Sequence, residues 1–144
     1  MKNQFEKLNK QERLLLFSAP ALVSVLAASE GNKISKPDKA DAIYLAHLKT
    51  FTAAFLLLPY YDEVYKNFKL NFNNIVDKYS PLNNLSREKL REEINTANIV
   101  IDKLDKTFAL ALHKSLQDYE QHVKHADMGL VDFIIPVPVP GITD

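Results

Sequence analysis

From Ser86 to Met128 the chain carries neither glycine nor proline, and its apolar residues return every three or four positions. Leu90, Ile94, Ala97, Ile101, Leu104, Phe108 and Ala111 form one series; Leu112, Leu116, Tyr119, Val123 and Ala126 resume it after a skipped step. That spacing lays one apolar stripe along a helix, and a stripe sustained over so many turns needs partner helices to cover it. A skip displaces the seam. The segment is therefore expected to be one long helix bent near Ala109–Leu112, or two helices sharing an axis, closed by Gly129. With three glycines in 144 residues and 47% apolar content, few tight turns are available and a real core can be buried. The expected fold is all-α: a single bundle of about four to six helices over residues 1–128, a long C-terminal helix, and an extended Pro/Val-rich tail over residues 129–144.

The remaining helices announce themselves by their ends. Asn9 followed by Glu12 has the spacing of a capping box and predicts a helix from Lys10. Pro20 then falls inside the pattern, so either the helix kinks there or Ser18 caps a new one. The run Leu14–Ala28 is apolar on nearly every face and should lie near the centre of the bundle. Gly31 is placed to close it. Ser35, Pro37 and Asp38 predict the next helix start, with Ala40, Ile43, Tyr44, His47, Leu48, Phe51, Phe55 and Leu58 as its inward stripe. Pro59 ends that helix or begins another, in which Tyr61, Val64, Tyr65, Phe68, Phe72, Ile75, Val76 and Tyr79 keep the helical period. Ser80–Asn84 reads as a turn.

The tail is of another kind. In Phe133-Ile134-Ile135-Pro136-Val137-Pro138-Val139-Pro140-Gly141-Ile142, alternating prolines exclude a helix and favour an extended, polyproline-like backbone. Its other side chains are apolar, which predicts packing into a groove of its own bundle or of a neighbouring molecule.

Several function classes are excluded or disfavoured. Lysine plus arginine and aspartate plus glutamate both number 18, so a chain of zero formal charge lacks the cationic surface that a nucleic-acid backbone rewards. Absence of cysteine removes thiolate metal sites, disulfides and cysteine nucleophiles together. No glycine-rich phosphate loop, nucleophile elbow or paired-histidine protease motif is present. Leu14–Ser29 holds no charged residue, yet its sixteen positions fall short of the roughly 20 that span a bilayer. No stable transmembrane segment is expected, and the location is expected to be cytoplasmic. The alternative is export, with residues 1–27 acting as a signal peptide.

Three constellations are candidates for chemistry. Glu30, Asp38 and Asp41 surround one turn and offer hard oxygen ligands, although Lys33, Lys36 and Lys39 crowd them. Asp118, His122 and His125, separated by four and three residues, share a helix face and have donor types suited to zinc, iron or nickel. His47 lies within the stripe containing Tyr44 and Phe51, where a buried histidine bonded to a tyrosine or a carbonyl is expected. No cofactor is called for beyond a divalent metal at one of the first two sets.

The turn Ala27-Ala28-Ser29-Glu30-Gly31-Asn32-Lys33-Ile34-Ser35-Lys36-Pro37-Asp38, between two helical segments, resembles the hallmark of TerB-like domains of the tellurite-resistance family. Glu30 stands where that family has aspartate, Gly31 matches its glycine, Ile34 its isoleucine and Asp38 its trailing acid. The resemblance spans residues 14–38 at most. It implies an all-helical bundle, an association with stress responses, and divalent-metal binding by the acidic cluster. The functional expectation is a non-enzymatic interaction module that meets a protein partner, or another copy of itself, through the C-terminal tail. A metal-dependent helical-bundle enzyme using Asp118, His122 and His125 is the alternative, and an exported or membrane-associated protein is a third.

Overall fold

A computed structural model describes residues 2–29, 34 and 36–124. Among them are six α-helices and no strand: α1 (Lys2–Glu6), α2 (Lys10–Ala28), α3 (Lys36–Thr52), α4 (Leu58–Tyr79), α5 (Asn84–Ile101) and α6 (Lys106–Lys124), with a 3-10 turn at Phe55–Leu57. Helix α2 packs against α4, α5 and α6, and α3 covers α4 and α6 from outside. The all-α bundle is as expected. The tail at 129–144, the helix closures at Gly31 and Gly129, the cap at Ser35 and the stripe position Ala126 lie outside the described residues.

Helix α2 is central because it can be buried on most faces. Leu16, Leu22 and Val25 are wholly inaccessible, and Ala19, Ala21, Ala27 and Ala28 are nearly so. Its start is the capping box: Asn9 Oδ1 accepts from Glu12 N at 2.8 Å, and Asn9 N donates to Glu12 Oε1 at 3.0 Å. Two backbone donors are thereby satisfied at once. Asn9→Ala is expected to cost about 1 kcal/mol in urea denaturation with m unchanged; a wild-type midpoint would contradict this account of the cap.

The helix runs through Pro20 without restarting at Ser18. Proline has no N–H, so the carbonyl one turn earlier, that of Leu16, loses its intrahelical donor. A buried carbonyl without a partner is costly. The Tyr60 hydroxyl, reaching from α4, donates to Leu16 O at 2.8 Å. The exposed alternative, bending α2 to let water in, is thus unnecessary. By length and composition α2 is the one single helix among the described residues that could cross a bilayer, and half of that apolar window is buried in the fold.

The C-terminal half divides earlier than the skip in its pattern suggested. Helix α5 ends at Ile101 and α6 begins at Lys106, so of the two expectations the segment is two helices, not one bent near Ala109–Leu112, and the break falls over residues 102–105. Phe108, Ala109, Leu112, Ser115, Leu116 and Tyr119 instead form one uninterrupted buried face on α6. Short acidic side chains explain the break, since aspartate competes with helical hydrogen bonding and favours helix ends. Asp102 caps α5, and Asp105 precedes α6 with its carbonyl accepting from Ala109 N at 2.8 Å. The N-terminal helix locks the joint. Gln4 is buried and its Oε1 accepts from Asp105 N at 2.8 Å, while Phe5 meets Phe108 and Phe17 edge-on.

Helix α3 differs from expectation in the face it buries. Asp38, Ala42, Leu45 and Ala46 point inward, whereas Ala40, Tyr44 and His47 are exposed. Phe55, placed on the same stripe, lies in the 3-10 turn and is 89% exposed. Two alanines let α3 approach α4 and α6 closely, and a bulky Tyr44 on that face would hold it away. Pro59 starts a helix, lying in the first turn of α4.

Candidate functional site

Two regions concentrate chemistry. The first is a polar seam where α6 crosses α3 and α4. Asp41 of α3 and His122 of α6 face each other, with Nε2 to Oδ2 at 3.6 Å. One member of each candidate metal set is therefore brought to the other. Asp38 is buried in the first turn of α3. Asp118 is exposed on α6 and interacts electrostatically with Lys49, whose pKa is lowered by burial and partly restored by Asp118. Glu30 and His125 lie outside the described residues. Among those described, no three histidine or acidic side chains converge on one point.

Beneath this seam lie buried phenols. The Tyr61 hydroxyl shares a hydrogen bond with Ser115, and the Tyr61 and Tyr119 rings stack with centroids 6.2 Å apart. Among the described residues, no hydrogen bond reaches Tyr119 Oη or Asp41 Oδ2, both buried. Burial lifts the pKa of both tyrosines above the ordinary phenol range. For Tyr119 the charges of Tyr61 and Asp41 add to it; for Tyr61 the Ser115 bond opposes it and Asp118 adds. A phenol held protonated donates hydrogen bonds and does not serve as a base near neutrality.

The second region is an open cleft between α3 and α4, of about 730 Å³. Phe68 is buried and Ile43 and Asn73 half-buried in its lining, Leu70 and Tyr65 stand on its wall, and Lys66 and Lys69 complete it. Leu70 is 59% exposed, Tyr65 40% and the nearby Tyr44 59%. The chain folds this way locally because α4 is kinked at Asn67, whose φ of −124° and ψ of 15° depart from helical values between Lys66 and Phe68. Phe68 and Phe72 continue the buried stripe beyond the kink, leaving Leu70 on the outer face.

His47 belongs to this outer face. It is exposed, with its ring 5.0 Å from that of Tyr65, and so is not the buried histidine expected from its stripe. The rotation of α3 that buries Ala42 and Ala46 carries Tyr44 and His47 outward together. Leu70 was missed by the sequence reading. Its signal was present: a large apolar residue off the Val64–Phe68–Phe72 stripe, set between Lys69 and Asn71, has no core to enter. Lys66 is paired with Glu63 at 3.3 Å, while Lys69 has no ion-pair partner among the described residues.

Of the positions that carry the TerB-like resemblance, Ile34 is half-buried against the core and Asp38 is buried in α3, while Glu30 and Gly31 fall outside the described residues. No protein-family model, curated protein or solved structure matches this chain.

Proposed function

We propose that this chain is a non-enzymatic helical module that docks an extended apolar segment of protein on the outer face of α3 and α4. The carrying observation is the cleft itself: an apolar floor, exposed aromatic and leucine side chains at its edge, and lysines on its rim. Exposed apolar side chains scattered singly are ordinary; Tyr65 and Leu70 lining one concavity make a candidate contact surface. Aromatic-lined clefts suit extended, proline-containing segments, whose backbone loses little entropy on binding. Lysines at the rim favour acidic residues flanking the apolar stretch.

Selection of short peptides from a random display library on the immobilised full chain tests this directly. Enriched peptides are expected to be apolar, to contain proline and to carry flanking acids. Their affinity should fall at least about tenfold, near 1.4 kcal/mol, in Leu70→Asp, an exposed position where the fold tolerates change. The same selection on Val137→Asp/Val139→Asp removes the chain's own apolar tail as a competitor. Failure to enrich any peptide on either chain, or binding that Leu70→Asp leaves intact, would refute the docking role.

A further inference from the structure

We infer that the occupant of the α3–α4 cleft is the segment Asp132–Pro140 of the same chain, which competes there with any other protein; this rests on reading the cleft as a docking site. Three observations converge. The segment has the required chemistry: prolines at 136, 138 and 140 remove backbone donors and hold an extended shape, while Ile134, Ile135, Val137 and Val139 supply apolar side chains. The cleft offers a matching surface, with Phe68 and Ile43 below and Tyr65 and Leu70 beside.

Charge agrees. From Ala126 onward the chain holds Asp127, Asp132 and Asp144 and no lysine or arginine. The cleft rim carries Lys69, which has no ion-pair partner among the described residues, beside Lys66, which is paired with Glu63, and Asp132 immediately precedes the apolar run.

Reach agrees as well. The end of α6 lies against α3, His122 Nε2 standing 3.6 Å from Asp41 Oδ2. Asp41 is two positions from Ile43, which lines the cleft. Residues 125–131 extend at most about 25 Å, enough to pass around one helix about 10–12 Å across. A segment tethered so closely is present at an effective concentration near millimolar, which a second copy in dilute solution does not match.

Because the chain has no cysteine, Thr143→Cys provides a unique attachment point for a nitroxide label. In labelled full-length protein, paramagnetic broadening is expected at Ile43, Tyr65 and Leu70, and should vanish when Val137→Asp/Val139→Asp is added. Peptides selected for the cleft should bind that double variant about tenfold more tightly, as expected when a mostly closed site is opened. Equal broadening in a mixture of nitroxide-labelled chains with isotope-labelled, nitroxide-free chains would mean that a second copy fills the cleft, and would overturn the inference. Absence of broadening at the cleft in both samples would also overturn it, while Leu70-dependent peptide binding would leave the docking reading standing. Broadening in the single-chain sample without any peptide binding would uphold the occupant and remove the docking role.

Discussion

Replacing Tyr60 with alanine is expected to lower stability by about 3–5 kcal/mol, a large share of the ~5–15 kcal/mol that holds such a domain together. Two losses combine. The ring is wholly buried, stacked on Phe17 at 5.5 Å and edge-on to Tyr61 at 5.1 Å and Phe108 at 6.1 Å. Its hydroxyl serves the carbonyl that Pro20 leaves without a donor. Tyr60→Phe isolates the second loss. It keeps the ring and strands Leu16 O, for about 1–3 kcal/mol.

The coupling between Pro20 and the Tyr60 hydroxyl, through the Leu16 carbonyl, makes a sharper test. In a Pro20→Ala background the restored N–H can donate to Leu16 O, so Tyr60→Phe should then cost under about 1 kcal/mol. Urea denaturation of the four chains, followed by helical circular dichroism, measures the coupling. Equal cost of Tyr60→Phe in both backgrounds would show that the hydroxyl is not compensating for the proline.

The second large effect appears in alkali. Tyr60, Tyr61 and Tyr119 are wholly buried, and burial is the leading cause that raises the pKa of each. In the unfolded chain these phenols ionise near pH 10. Above that pH the unfolded state has shed protons that the folded state retains, so stability declines as pH rises. The contribution is intact below about pH 9 and is lost progressively above about pH 10. Each phenol contributes about 1.4 kcal/mol per pH unit, and three together about 4 kcal/mol per pH unit. Stability measured by urea denaturation from pH 8 upward should therefore be flat and then steep, with tyrosinate absorbance from these three emerging only as helix is lost. The protein has six tyrosines and no tryptophan, which keeps that signal clean. All six ionising together near pH 10, with the helix content unchanged, would contradict the buried-phenol account.

The proposed docking face and the stability of the fold draw on opposite sides of the same helices. Helix α3 gives Ala42, Leu45 and Ala46 to the core and Tyr44 and His47 to solvent, and α4 gives Phe68 and Phe72 inward and Leu70 outward. Substitutions at Leu70 should thus change binding while leaving the denaturation midpoint near wild type. Substitutions at Phe68 would confound the two.

Element type, most boundaries and the central helix were legible in the residues. The Asn9–Glu12 box, the position of Pro59 and the apolar run to Ala28 act through their immediate neighbours, and local hydrogen bonding and burial decide them wherever the helix is packed. Tertiary structure alone decided four things. It selected which face of α3 turns inward, because Ile43 with His47 and Ala42 with Ala46 are equally periodic and only close approach to α4 and α6 separates them. It carried Pro20 inside α2, because the missing donor is replaced from Tyr60, distant in sequence. It also set Asp41 beside His122 and opened the cleft at Leu70, since both arise from how helices cross. A pattern along one helix records its own period and is silent about the neighbour that will lie against it.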